Sequence, residues 1–285
     1  MIDKHIDNPK SPKFYIKRYI LENKDNIKNK TIIDLPAGSG ATSELLHEFE
    51  CNVLPFDLFP EYFVFDKVKC HRANAAEQIP IDNSMADMII CQEGLEHFQD
   101  QLKVLREFNR VLKLNGKLVV TVPSYSNLKS RLSYLLFETE YFNKMMPANE
   151  LDSIWMADNS ITDEIYYGHI FLLGIQKLRL LAYLAGFKIH KTIFTRINKT
   201  SLILFPFFYP FILISSVLTY LKAMKKNNDF SKHIKKKVYL EQLKLNINPK
   251  ILLDSHTFII FEKEHLLEDI AKMLNTKLKG FNQLT

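Results

Sequence analysis

Along the N-terminal half of the chain, short β-branched and aliphatic runs separate segments whose apolar positions recur at helical spacing, the pattern of alternating strands and helices. Residues 14–23 (FYIKRYILEN) carry the helical spacing and predict a helix packed on the edge of a sheet. Thr31, Ile32 and Ile33 read as a buried parallel strand closed by Asp34, and residues 43–49 read as the start of a helix. Residues 51–62 predict a second strand ending at Asp57, and residues 86–91 another. Leu102, Leu105, Val111 and Leu112 mark a helix face, followed by an Asn115-Gly116 turn and a strand over 117–122. The order βαβαβ specifies an α/β chain with a parallel, doubly wound sheet.

Two stretches break the alternation. Residues 124–167 are rich in aromatics and methionines (Tyr134, Phe137, Tyr141, Phe142, Met145, Met146, Trp155 and Met156) and follow a strand end. They read either as a cap over a site or as an insertion packed for stability alone. Residues 201–221 (SLILFPFFYPFILISSVLTYL) contain no charge and have about the length of a membrane-spanning helix. Pro206 and Pro210 argue against an uninterrupted helix there.

Composition adds little to the fold and something to location. The 285 residues can bury a sizeable core, and 47% hydrophobic with 25% charged residues is ordinary for a globular protein. Cys51, Cys70 and Cys91 have no C-x-x-C spacing and suit reduced thiols, and residues 1–15 show no apolar signal, so a cytoplasmic protein is expected. The net charge of +6 is concentrated: Lys222, Lys225, Lys226, Lys232, Lys235, Lys236 and Lys237 crowd one segment, opposed only by Asp229.

The chemistry starts between the first strand and helix. Gly38 and Gly40 can take positive φ and let a ligand approach the backbone, while the helix amides point at it. Asp34 at that turn would repel a pyrophosphate and welcome an ammonium or sulfonium. A tight turn without a ligand has the same spacing.

This strand, acid, Gly-x-Gly and helix resemble the first motif of the class I S-adenosylmethionine-dependent methyltransferases, although Pro36-Ala37 stands where the commoner form has Gly-Cys. The resemblance implies a Rossmann-like sheet, on which the aromatic stretch is read as a cap after strand 5 and the apolar run as a hydrophobic insertion between strands 6 and 7. It implies S-adenosylmethionine held by Asp34, Ala37, Gly38, Gly40, Asp57, Leu58, Asn74, Ala75, Gln92 and Glu93. Asp57, roughly twenty residues past the first motif, is expected on the ribose hydroxyls. Asn74, at the end of a short third strand near residues 73–75, would offer its side-chain oxygen to the adenine amine. Asp87, which opens the fourth strand, is expected to be structural. Residues 168–194 resemble the family's last helix, ended by Gly186, and its sixth strand; residues 256–264 are the candidate seventh.

The run CQEGLEHF is close to the C-x-E-x-L-E-H pattern of the ubiquinone-biosynthesis O-methyltransferases, and similar E-x-x-E-H runs in some RNA 2′-O-methyltransferases help bind a cation. His97 is therefore expected as a general base, as a ligand of Mg²⁺ or Mn²⁺ with Glu93 and Glu96, or as a structural residue of the loop. One methyltransferase domain over residues 1–264 is expected, with insertions at 124–167 and 196–250, then a C-terminal helix within 265–285. Because strands 6 and 7 share a sheet, both ends of the apolar insertion must lie on one side of a membrane. A hairpin turned at the prolines, with lysines on anionic headgroups, satisfies that; packing under the cap or at a dimer interface is the soluble alternative. The expectation is an O-methyltransferase of an amphipathic or lipid-linked small molecule or glycan, peripheral on the inner face of the membrane through residues 196–237. An RNA methyltransferase draws on the basic segment but not on the apolar run beside it, and a non-catalytic methyltransferase-like adaptor draws only on Pro36-Ala37.

Overall fold

The computed structural model describes residues 4–140, 146–157 and 165–270. Seven strands, β1 (Thr31–Asp34), β2 (Asn52–Asp57), β3 (His71–Arg72), β4 (Ala86–Gln92), β5 (Leu112–Pro123), β6 (Phe187–Ile193) and β7 (His256–Lys263), form one sheet in the order β3-β2-β1-β4-β5-β7-β6. The first five pair in parallel, and β7 runs antiparallel between β5 and β6. This is a mixed, doubly wound α/β sheet of the expected class. Its third strand is shorter and earlier than expected, ending at Arg72 rather than near Ala75.

Successive strand residues point to opposite faces, so each strand serves two cores. Ile32, Ile90, Val119, Phe258 and Ile260 meet α1 (Pro12–Glu22) and α2 (Ala41–Glu48) through Ile16, Ile20, Leu45 and Leu46. Ile33, Ile89, Val120, Ile259 and Phe261 meet α3 (Gln101–Val111) and, further along the chain, α5 (Ile175–Leu184) through Leu105, Phe108, Leu178 and Ala182. Helix α1 therefore covers the face of the sheet and not its edge: Tyr15, Ile16, Tyr19 and Ile20 give it a wide apolar stripe that needs a broad partner.

Leu112, read from its spacing as part of a helix face, opens β5 instead. Register jumps from Ala86 opposite Leu112 to Met88 opposite Lys117, so the Asn115-Gly116 turn is a bulge inside the strand, with Asn115 at φ +64°. Asp87 locks this corner, accepting from the Thr31 amide (3.0 Å) and from Lys113 (3.0 Å), and these contacts hold its carboxyl below the ordinary value despite burial.

Beyond β5 lie α4 (Leu128–Phe137), the short helix Glu150–Ser153 and a two-stranded ribbon, Ile154–Ala157 with Ile165–Tyr167. Tyr134, Phe137 and Met146 are exposed rather than turned inward, and Tyr141, Phe142 and Met145 lie outside the described residues. The expected C-terminal helix is described only to residue 270; residues 271–285 lie outside.

The largest departure concerns the apolar insertion. It does not turn at the prolines: α6 (Lys199–Met224) is one helix of 26 residues containing both, and the chain reverses after it to form α7 (Lys232–Ile247). Each proline removes one amide donor and crowds the turn before it, a finite cost, and the helix is held by its packing against α4 and α7. Lys235, expected at the surface, is buried and donates to the Met224 and Lys226 carbonyls (3.0 Å each), closing the end of α6.

Candidate active site

Parallel strands end together at one edge of the sheet, and their loops there build a cavity of about 1020 Å³. The turn after β1 is pinned from both sides, since the Leu35 amide reaches Ile90 O (3.0 Å) and the Ala37 amide reaches Phe56 O (3.0 Å). Gly38 and Gly40 both take positive φ, +51° and +91°. Their roles differ. A Cβ on Gly38 would meet nothing within 4 Å and project into open space, so this backbone is bare toward the cavity, as a ligand-cradling turn requires. A Cβ on Gly40 would lie 2.8 Å from the Phe63 ring, so that glycine lets the segment after β2 close over the turn.

Pro36 has a local reason. Its ring lies against Gly94, where an added Cβ would come within 2.5 Å of Pro36 Cδ. The residue that departs from the commoner motif is thus matched by a glycine in the loop after β4.

Asp57 ends β2 almost buried, with one carboxylate oxygen accepting from the Gly38 amide (2.8 Å) and the other from the Phe59 amide (2.9 Å). Both oxygens retain acceptor capacity toward the cavity. Leu58 and Asn74 line the same end. The Asn74 oxygen already accepts from the Ala76 amide (3.0 Å), so the side chain shapes its own turn as well as the wall. Ala37, Gln92, Glu93 and His97 line the cavity too, and Gln92 accepts from Thr42 Oγ (3.2 Å). Asp34, Gly40, Ala75 and Glu96 are not on its wall. Asp34 is buried behind the turn, where it accepts from Ser43 Oγ (2.6 Å); burial pushes its carboxyl up to about 7, and the nearby Asp57 adds to that.

The loop after β4 concentrates unusual groups. Glu93 takes φ +47°, a strained conformation for a non-glycine residue, held by its amide donating to Thr121 O (2.9 Å). Glu93 Oε1 and both oxygens of Glu96 are buried without a hydrogen-bond partner among the described residues. Burial raises both carboxyls well above the ordinary 4.5, and the charge of Glu93 raises Glu96 further, which keeps a proton on the pair. His97 directs Nδ1 at the carbonyls of Tyr167 (2.9 Å) and Gly168 (3.2 Å). Nδ1 must therefore carry the hydrogen, leaving Nε2 as the basic nitrogen, and burial lowers the imidazole's pKa so that it is neutral at pH 7.

Glu96, His97 and His169 bring ligand atoms within 4.8 Å of one another. Glu93 is not part of this group, and His169, absent from the sequence reading, is. Burial pushes His169 down to about 4, and its ring lies 5.3 Å from that of His97. Nothing local marks His169, since it comes from a distant segment, just before α5. The same holds for Ser43, whose partnership with Asp34 follows only from the helix start, and for Lys13 and Lys103, which also line the cavity.

Residues 33–120 match the family described as methyltransferase domain. A ubiquinone biosynthesis O-methyltransferase of Aliivibrio fischeri is 25% identical over 143 residues, 47% of this chain and 60% of that protein. A sarcosine/dimethylglycine N-methyltransferase of Halorhodospira halochloris is 27% identical over 103 residues, 32% of this chain and 37% of that protein. The matched segment thus spans three fifths or less of either relative. Among solved structures, a SAM-dependent methyltransferase from Archaeoglobus fulgidus superposes with a TM-score of 0.52 at 15% identity, over 90% of this chain and 97% of that one, a likeness of fold.

Proposed function

We propose that this chain, a class I S-adenosylmethionine-dependent methyltransferase, moves the cofactor's methyl group to an oxygen of an amphipathic or lipid-linked small molecule or glycan. The observation that carries the reading is one cavity lined by the bare Gly38 turn, Asp57 and His97 together. Bound there, the cofactor supplies an electrophilic methyl on a sulfonium, with a neutral thioether as leaving group. The chain's own residues do the rest. Gly38 and Asp57 would hold the nucleoside end, and Glu93 lines the same cavity with one carboxyl oxygen buried. Neutral His97 accepts the acceptor's proton at Nε2 while Nδ1–H stays on the Tyr167 and Gly168 carbonyls, so the ring is oriented before the proton moves.

The relatives include both an O- and an N-methyltransferase by name, so the choice of oxygen rests on the C-x-E-x-L-E-H run and on a base placed to deprotonate a hydroxyl. Calorimetric titration with S-adenosylmethionine and S-adenosylhomocysteine, repeated with Asp57→Ala, tests the cofactor half. Loss of two charge-assisted hydrogen bonds, on the order of 1.5–3 kcal/mol each, should weaken binding by about a hundredfold or more. Unchanged affinity in the variant would remove Asp57 from the site, and no binding by folded wild type would sink the reading.

A second reading adds a divalent cation, and the cluster of Glu96, His97 and His169 favours it. One carboxylate with two neutral imidazoles suits Mn²⁺ better than Mg²⁺, and a cation there would lower the pKa of an acceptor hydroxyl. A rise in melting temperature with Mn²⁺ that Glu96→Gln abolishes supports this; activity indifferent to a chelator removes it.

A further inference from the structure

Helix α6 is long and apolar enough to cross a membrane, yet the 18-residue window that qualifies it has no buried residue. Turned at about 100° per residue, the exposed Ile203, Phe207, Phe211, Ile214, Leu218 and Leu221 form a stripe, and Leu202, Leu213 and Val217 widen it to about half the circumference. The opposite face is occupied. Ser216 accepts from Asn246 of α7 (2.7 Å), and Ser201 near the N-terminus accepts from the Lys129 amide of α4 (3.0 Å). Helix α6 alone has almost no amphipathic periodicity, because both its covered and its bare faces are apolar. The hairpin as a unit does have it: α6 shows hydrocarbon, and α7 shows Lys232, Lys236, Lys237 and Lys244.

We infer that the α6–α7 hairpin is an in-plane anchor on an anionic lipid bilayer, with the bare face of α6 at the acyl boundary and the α7 lysines among the headgroups. Four observations carry it. The bare face spans about half the circumference of the helix. Between residues 199 and 250 the only acids are Asp229 and Glu241, and Glu241 is engaged by Arg179 (3.0 Å), so the charge is complementary to anionic headgroups. Lys222, Lys225 and Lys226 cluster where the apolar stripe ends, as interfacial anchors do. Both feet of the hairpin are tied to one place, since the Asn198 amide donates to Leu253 O (2.8 Å) and Ile197 bridges to Asp254. A crossing would carry the α7 lysines into hydrocarbon.

The placement bears on the proposed acceptor, and in that respect it rests on the function proposed above. Pro123 at the end of β5 pairs with His256 at the start of β7, and Ile193 ending β6 pairs with Phe258. The hairpin therefore leaves the sheet at the same edge where the cavity opens. Helix α4, against α6, adds Leu135 and Leu136, 75% and 60% exposed, to the apolar surface at that edge. An anchor there holds the cavity mouth at the lipid surface, where an amphipathic acceptor enters with its polar end first.

The test is flotation of the full chain with phosphatidylcholine vesicles, with and without phosphatidylglycerol. The wild type should float with the anionic vesicles. Phe207→Asp with Phe211→Asp should lower partitioning at least tenfold, and Lys236→Gln with Lys237→Gln by roughly fivefold per lysine, an effect that high salt reproduces. Trypsin added outside sealed vesicles should still cut at Lys225 and Lys226. No flotation overturns the inference, as does a concentration-dependent dimer that the double aspartate variant disperses, which would assign the face to a second copy. Protection of Lys225 and Lys226 from trypsin overturns the in-plane orientation. Cofactor titration of the same preparations distinguishes a failed surface from a failed methyltransferase reading, since it does not depend on lipid.

Discussion

The turn after β1 and the α6–α7 hairpin both sit at the carboxyl edge of the sheet, and they are built by opposite rules. Around the turn polar groups are paired with one another: Gly38 N–H with Asp57, Asp34 with Ser43, and Gln92 of β4 with Thr42. The hairpin is held by a few polar contacts and leaves its apolar side chains bare. A region that satisfies itself internally declares its ligand by the shape left over. A region that does not satisfy itself declares what it lacks.

The largest effect expected is in the loop after β4. His97→Ala should lower kcat by about 10²–10⁴-fold with cofactor affinity nearly intact, read by steady-state kinetics and calorimetry together. Equal losses in both would make His97 a structural residue of the turn, closer to the role of Asp34. Next is packing. Gly94→Ala forces a Cβ against Pro36 and should destabilise by about 1–3 kcal/mol in denaturant titration. Adding Pro36→Gly should recover part of that loss, and a strictly additive double variant would show that the two residues do not constrain each other.

A smaller effect is the pH dependence of stability. Glu93 and Glu96 have folded pKa values raised above the ordinary 4.5, so above that pH the native state binds more protons than the unfolded one. Stability should therefore be fullest at low pH and fall as pH rises through the folded values. Glu96→Gln should flatten that slope in thermal melts from pH 5 upward, and an unchanged slope would assign it elsewhere. The smallest effect is the control on the hairpin: Phe207→Asp, at an exposed position, should change stability by no more than about 0.5 kcal/mol. A loss of several kcal/mol would mean that this face is packed against protein.

The strands were legible because burial imposes β-branched runs, and Thr31 to Asp34 and Asn52 to Asp57 fall where their patterns place them. Leu112 was misassigned because one apolar residue fits the end of a helix face and the start of a strand equally well. The proline reading of residues 201–221 failed for a related reason: proline weakens a helix by a finite amount, and the packing of α4 and α7 on α6 is not visible in α6's own spacing.

The sequence by itself determined the parallel strands of the α/β sheet, the glycine turn and the acid that ends β2, because each depends on residues close together in the chain whose conformational needs are local. Only the tertiary structure decided that Asp34 serves Ser43 behind the wall and that Pro36 and Gly94 fit each other. It also decided that His169, seventy-two positions beyond His97, stands beside it, and that half of α6 is bare. Those facts depend on contacts between distant segments, which the hydrophobic pattern brings together without recording which side chains will meet.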